Sequence, residues 1–538
     1  MGDFSFSDDR ELQQLNAQTL ADPDNFDHWE KLVRAAEAQE GGLNRNSSPQ
    51  AITAVREVYD RLLARFPLFF GYWKKYADLE FVVTGPEAAE LVYERGIASI
   101  GTSVDLWANY CAFKTDTWHD MDAIRELFER GVESAGLDFL AHPLWDKYLE
   151  FEDRCESPQN IFKLLGRIIH IPLHQYARYF ERYRSMAATR PVSELAPESV
   201  LSSFGPLNEV ELRQRLDAYH VDVFQKTQAE TTKRWTYEQE IKRPYYHVTE
   251  LDSAQLTNWR RYLDFEEAEG DYTRIKFLYE RCLVTCANYD EFWFRYARWM
   301  QAQGKSKSQE VRNIYARASA LFIAISRPAI RLYYAYWEEA AGNIAIAMDI
   351  HHAILSFLPN HVETIISMAN VQRRTRDVQA ALQCLDQYMH DASGAITQHT
   401  RGAIVAEQAR LLYQQGDIDA VRKLYSSQTQ LYQDSAPFWL GYLDFEAKLT
   451  SPNFERVKAV YDAAKQSQSL SATAIRTITA RYFSLLRDLG GKDAMSELAS
   501  LDVELNGPRS VRHNMDFRVA DDGWREETHN CFLDIVDE

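Results

Sequence analysis

Residues 258–271 read NWRRYLDFEEAEGD, and a near copy, FWLGYLDFEAKL, occupies residues 438–449. Aligned on their tryptophans, the two give one phrase: Trp at position 0, Tyr at 3, Phe at 6 and Glu at 7. The phrase returns along the chain. Trp73, Tyr76, Leu79 and Glu80 follow it, as do Trp145, Tyr148, Phe151 and Glu152, then Trp259, Tyr262, Phe265 and Glu266, and Trp439, Tyr442, Phe445 and Glu446. Trp107, Tyr110 and Phe113 keep the rings with Lys114 in place of the Glu, and Trp293, Tyr296 and Trp299 are followed by Met300. Positions 0, 3 and 7 share one helical face and position 6 borders it, so the phrase predicts the inner stripe of an amphipathic helix.

A second phrase follows each first one: VYERG with Tyr93, LFERG with Phe128, LYERC with Tyr279, IYARA with Tyr315 and VYDAA with Tyr461. Its aromatic lies 20 to 22 residues after the Trp, which leaves room for two helices and a short turn. Turn residues stand where that demands, in Gly270-Asp271, Gly304, Gly342-Asn343 and Gly416-Asp417. Successive first phrases start 34 to 38 residues apart, a period that marks a solenoid of helix pairs. The longer gaps divide into similar steps. HVETIISMANVQRRTRD and GAIVAEQARLLYQQGD therefore read as copies that have lost the Trp.

A helix pair cannot bury its apolar stripe alone, so the ring at position 0 must wedge against its partner helix and the next repeat. Seven of the 12 tryptophans hold position 0 (Trp29, Trp73, Trp107, Trp145, Trp259, Trp293 and Trp439), and Trp299 and Trp337 hold position 6. These aromatics are expected in the core. The recurrent Glu and the Arg of the second phrase, Glu80 with Arg95 and Glu266 with Arg281, are expected to pair between the two helices of one repeat.

Repeats cover residues 22–190 in a first array, whose opening turn is lengthened by GGLNRNSSPQ, and 251–505 in a second. The N-terminal segment 1–21 precedes them. Between the arrays, 191–250 begins with a Pro-, Ser- and Gly-bearing stretch and continues from Leu207 to Glu240 as one long, mostly polar helix, a spacer between two arms. The tail, 506–538, is acidic yet carries Trp524, Phe532, Leu533 and Ile535, which marks it as a docking segment.

Composition narrows the function. The chain of 538 residues has a formal charge of −19, which disfavours a surface that grips phosphate backbones throughout. No stretch approaches the roughly 20 apolar residues of a membrane span, and the N-terminus has no secretory pattern, so an intracellular location is expected. The six cysteines are scattered as reduced thiols are. Two basic stretches stand out, Lys233, Arg234, Lys242 and Arg243, and then Arg373, Arg374 and Arg376; both sit among acids, as on solvated helix faces. GKS at 304–306 lacks the first Gly of a phosphate loop, His170 and His174 flank Pro172 without a completing acid, and Cys282 and Cys286 have no second ligand pair. No spacing selects a base or a nucleophile. The chain reads as a non-enzyme without cofactor or metal.

The phrase W-x-x-Y-x-x-F-E, followed by a helix with Y-E-R, resembles the half-a-TPR (HAT) repeat of RNA-processing scaffolds. IPLHQYARYFERY (171–183), RWTYEQEIKRPYYHVTELDSAQLTNWRRYLDFE (234–266) and LYERCLVTCANYDEFWFRYARW (278–299) are similar to the pre-mRNA-processing factor 39 family; the junction IKRPYYHV, with Arg243, Pro244, Tyr245, Tyr246 and His247, is the most specific part. The resemblance implies an all-α solenoid and a nuclear splicing scaffold associated with protein subunits of the U1 small nuclear ribonucleoprotein at the donor splice site. It also implies dimerisation, with itself or a paralogue, through the C-terminal repeats. Direct RNA contact is secondary; Arg373, Arg374, Arg376, Trp524 and Phe532 are the candidate partner-binding residues. The alternatives are a HAT scaffold of another assembly, such as mRNA 3′-end cleavage, and a prenyltransferase alpha-like subunit.

Overall fold

Each repeat folds because its two phrases supply two amphipathic stripes and its turn residues stop one helix and start the next. Helix Ser253–Glu269 begins under an Asp252 cap, whose side chain accepts from the Gln255 amide, and ends at Gly270 with φ of 82°. Asp271 then caps helix Tyr272–Thr285 through the amides of Thr273 and Arg274. Gly416 (φ 85°) and Asp417 repeat the device before helix Ile418–Gln428. Glycine takes the left-handed conformation without the steric cost of a Cβ, and an aspartate at an N-cap satisfies amides that the helix leaves open.

The structure, a computed structural model, describes residues 10–205, 207–391, 393–449 and 453–506. Among the described residues there are 26 α-helices and no strand. The fold is an all-α solenoid of HAT helix pairs. The Trp-less copies form full helices, Val362–Thr375 and Gln398–Gln414. Most helices pack on their successor, and first helices of neighbouring repeats also touch, as Val104–Thr117 does His142–Arg154 and Gln398–Gln414 does Ala436–Lys448.

The chain forms two compact units, residues 1–314 and 315–538. Helix Glu209–Glu240, opened by an Asn208–Glu211 capping box, belongs to the first and carries a buried face of Leu216, His220, Val223, Thr227, Thr231 and Arg234. Thr227 donates to the Ile169 carbonyl at 2.7 Å, and the Trp235 ring stacks on His174 at 5.3 Å. These contacts fix this helix on the turn between helices Pro158–Ile168 and Tyr176–Ala187, and Arg234 fixes it on the repeat that follows.

Candidate scaffold joints and partner surfaces

The sequence-marked rings sit inside the stack. Trp73, Trp107, Trp145, Trp259, Trp293 and Trp439 are buried, as are Tyr76, Tyr110, Tyr148, Tyr262 and Tyr296, with Tyr442 half-buried. Five of the position-0 indoles donate to a carbonyl six residues earlier, in the turn before the helix: Trp29 to Pro23, Trp73 to Pro67, Trp107 to Gly101, Trp293 to Ala287 and Trp439 to Gln433. Trp145 uses Gly136 instead. Trp259 Nε1 has no partner among the described residues. Its helix starts at Ser253, so the carbonyl six residues back is already turned into the helix.

Repeats join through face-to-face rings. The aromatic of each second phrase stacks on the position-3 Tyr of the next first helix: Tyr93 on Tyr110 (4.9 Å, 7°), Phe128 on Tyr148 (4.7 Å, 6°), Tyr279 on Tyr296 (4.7 Å, 14°) and Tyr461 on Tyr482 (4.0 Å, 7°). Tyr59–Tyr76, Phe162–Tyr183, Tyr237–Tyr262, Tyr315–Tyr334 and Tyr425–Tyr442 do the same. A stacked pair adds about 0.5–1.5 kcal/mol to the area it buries. The long helix joins the same scheme through Tyr237. Among the Trp-less copies, His351 stands where the second-phrase aromatic would be, and its Nε2 meets Ser367 Oγ at 2.8 Å.

A polar ladder accompanies four of these stacked pairs. The residue after the second-phrase aromatic accepts the phenol proton of the next Tyr: Glu94 from Tyr110 and Glu129 from Tyr148 at 2.8 Å, Glu238 from Tyr262 and Glu280 from Tyr296 at 2.9 Å. Burial, reinforced by these acceptors, pushes the phenols of Tyr110, Tyr148 and Tyr262 up. The Arg of Y-E-R covers the Trp of its own repeat, as Arg95 does Trp73 at 5.4 Å and Arg130 does Trp107 at 5.8 Å. It also reaches back to the preceding acid, Arg95 to Asp60 and Arg130 to Glu94, both at 2.8 Å. Hydrogen bonds from Arg130 hold the Glu94 carboxyl below its ordinary range.

The Glu at position 7 corrects an expectation. Glu80 pairs with Arg56, not Arg95, and Glu266 with Arg234, not Arg281. Glu152 with Arg125 and Glu446 with Arg422 follow the same rule. The arginine always lies three residues before the stacked aromatic of the preceding second helix, so the ion pair crosses between repeats. A second buried node joins distant parts of the first unit. Arg281 reaches Asp138 at 2.8 Å and Glu238 at 2.6 Å. Two carboxylates share one guanidinium, and burial holds Asp138 above the usual carboxylate range.

Most cations of the two basic stretches have partners within the chain, and Arg234 alone of them is buried. Arg234 is buried on Glu266, Lys233 pairs with Glu230 and Glu269, Lys242 donates to the Gln239 carbonyl, and Arg243 holds Thr249. Arg374 forms a bidentate pair with Glu339 at 2.6 and 2.7 Å, and Arg373 donates to Asn370; Arg376 is exposed and closes the helix end with its backbone amide, which donates to the Gln372 carbonyl. Trp524 and Phe532 lie outside the described residues.

The junction folds back onto the start of the chain. Tyr246 is buried edge-on against Phe69 at 5.0 Å, burial raising its phenol, while Tyr245 beside it is 47% exposed and Pro244 is exposed. His247 Nδ1 accepts from the Thr249 amide at 3.1 Å, which leaves the ring proton on Nε2. Helix Phe26–Ala38, the start of helix Phe70–Val83 and residues 245–247 enclose a cleft of about 350 Å³.

Family comparisons match this arrangement. Residues 13–185 match the PRP39 N-terminal HAT repeat and residues 232–374 the PRP39 C-terminal HAT repeat. The chain is similar to Pre-mRNA-processing factor 39 of Schizosaccharomyces pombe, at 46% identity over 95% of this chain and 89% of that one. It is similar to the same factor of Xenopus laevis at 31% over 87% and 76% of the two chains. A more distant relative, U1 small nuclear ribonucleoprotein component PRP42 of Saccharomyces cerevisiae, is 22% identical over 54% of this chain and 57% of its own. The joints, the junction and these matches agree: the chain belongs to the pre-mRNA-processing factor 39 family of HAT-repeat proteins.

Proposed function

We propose that this chain is a non-catalytic scaffold of pre-mRNA splicing in the nucleus. In this reading it joins the U1 small nuclear ribonucleoprotein through that particle's proteins and helps it engage donor (5′) splice sites. It acts as a dimer, with itself or a paralogue, through the repeats of 251–505. The observation that carries the reading is the 46% identity, along nearly the whole chain, to a factor whose name is pre-mRNA processing. The kinship to a component of the U1 particle directs it to that assembly.

The side chains support a scaffold. The repeated rings, acids and arginines are committed to joints between repeats, which set the rotation of one helix pair on the next and hence the shape of the surface presented to partners. A chain of charge −19 suits basic protein partners, and Arg234 and Arg374 are already paired with Glu266 and Glu339, so RNA contact is secondary. In the second array Leu431 is 56% exposed and Phe357, beside the 360–440 copies, 70% exposed; apolar surface of this kind suits self-association.

Two measurements test the reading. Light scattering of the pure protein at micromolar concentration should give twice the chain mass; a monomer removes the self-dimer. Affinity purification from nuclear extract should return U1 proteins, whereas cleavage factors without splicing proteins would reassign the scaffold to mRNA 3′-end processing.

A further inference from the structure

The cleft beside the junction has walls made of rings. Phe69, Phe70, Tyr72, Tyr245 and Tyr246 line it. The walls are braced from behind, Phe69 by Phe26 at 4.6 Å and by Tyr246 at 5.0 Å, while Tyr245 stands open to solvent. Two cations and one acid, Arg34, Lys75 and Glu30, complete the rim. Arg34 pairs with Glu30 at 2.7 Å and Lys75 with Glu37 at 2.6 Å, yet the two cations keep 71% and 49% of their side-chain surface in water. In both pairs the cation is more exposed than its acid, so the rim offers water-facing cations in a chain whose net charge is −19.

We propose that this cleft binds an extended, proline-bearing segment of a partner protein that carries acidic residues beside the prolines. About 350 Å³ is at the small end of binding pockets and does not admit a helix, whose diameter with side chains is about 10–12 Å. An extended segment fits, because it inserts alternate side chains while its backbone stays at the mouth. Aromatic-lined grooves favour polyproline II segments: the pyrrolidine faces lie flat on rings, and the ligand is already extended, so little entropy is lost on binding. Arg34 and Lys75 then take the flanking carboxylates as second partners, a contact that steers the segment and sets its direction. Rings can also stack nucleobases, but such sites need a run of cations along the strand, and the lining of this cleft supplies two, Arg34 and Lys75.

The test uses the full-length protein and fluorescein-labelled dodecapeptides with a central Pro-Pro-Pro-Leu-Pro, flanked by Asp on both sides or by Lys on both sides. Fluorescence anisotropy should show saturable binding of the Asp-flanked peptide, with Kd on the order of 100 µM for so small a contact. Tyr245→Ala and Phe70→Ala should each weaken it at least about fivefold, as loss of a ring anchor does. Melting curves of Tyr245→Ala should match the parent protein, since that ring is solvent-exposed. The double variant Arg34→Glu with Lys75→Glu should reverse the preference toward the Lys-flanked peptide. No saturable binding, or binding unchanged by Tyr245→Ala, would overturn the assignment. So would a twelve-nucleotide single-stranded RNA that binds in place of the peptide, depends on Tyr245 and weakens steeply with salt.

Discussion

Arg234 and Glu266 meet as a bidentate pair, Nε to Oε1 at 2.6 Å and Nη2 to Oε2 at 2.9 Å, with 2% of either side chain exposed. The pair locks the end of the long helix to the first helix of the next repeat. Removing one partner leaves a buried charge with only its weaker contact, Arg234 with Glu230 or Glu266 with Arg274 at 3.7 Å, so Glu266→Ala or Arg234→Ala should cost about 3 kcal/mol in urea denaturation. Glu291→Ala, which breaks the exposed pair with Arg260, should cost about 1 kcal/mol or less. A double-mutant cycle should find strong coupling between residues 234 and 266 and weak coupling between 266 and 281; equal couplings would contradict the inter-repeat rule.

The unpartnered indole of Trp259 predicts an asymmetry between two otherwise equivalent tryptophans. Trp293 donates to Ala287 at 2.8 Å, so Trp293→Phe loses volume and strands a carbonyl, whereas Trp259→Phe loses volume and removes an unsatisfied N–H. Trp293→Phe should be the more destabilising by roughly 1–3 kcal/mol. Equal losses in chemical denaturation would show that Trp259 has found a partner, such as a water.

Gly96 lets two repeats approach. A Cβ there would lie 3.1 Å from Trp73 Cγ and 3.1 Å from Leu106 Cδ2. Gly96→Ala should cost about 1–3 kcal/mol through overpacking. Gly71, in the first turn of helix Phe70–Val83, has open space around such an atom, and Gly71→Ala should be neutral or stabilising by up to about 1 kcal/mol. The melting temperature should drop for Gly96→Ala and hold or rise for Gly71→Ala.

His351 makes one joint sensitive to pH. It is fully buried, its Nδ1 donates to the Ala347 carbonyl at 2.6 Å and its Nε2 accepts from Ser367, and burial lowers its pKa from the usual 6.5. Below pH 6.5 the unfolded chain takes up a proton that the folded chain refuses, so stability is complete above that value and declines as pH falls. His220, buried on Leu195 and Tyr183, acts in the same direction in the first unit. Melting temperature should fall between pH 7.5 and 5.5, and His351→Gln should flatten part of that slope. An unchanged slope in the double variant with His220→Gln would refute the assignment.

The register of the helices was legible in the chain itself, because an amphipathic stripe is a local property. Trp259, Tyr262 and Glu266 must share a face whatever they pack against, and Gly270-Asp271 ends one helix and caps the next by backbone geometry alone. Period, helix pairing and the burial of the rings followed from the same spacing. Which Glu met which Arg did not. Arg281 and Arg234 are both within reach of the repeat that holds Glu266, and only the packing of the preceding helix against it settled the choice. One sequence signal carried the answer: Arg56, Arg125, Arg234 and Arg422 each stand three residues before a stacked aromatic.

The sequence by itself determined an all-α chain of paired helices whose large rings face inward, since periodicity acts over a few residues and needs no partner. The tertiary structure alone decided that Lys233, Arg234 and Arg374 of the basic stretches are spent on acids of the same chain. It also brought Tyr245–His247 back to Phe69 and Tyr72, far earlier in the chain, to form a ring-lined cleft. Ion pairs and clefts depend on which surfaces meet, and stacking, not local preference, brings those surfaces together.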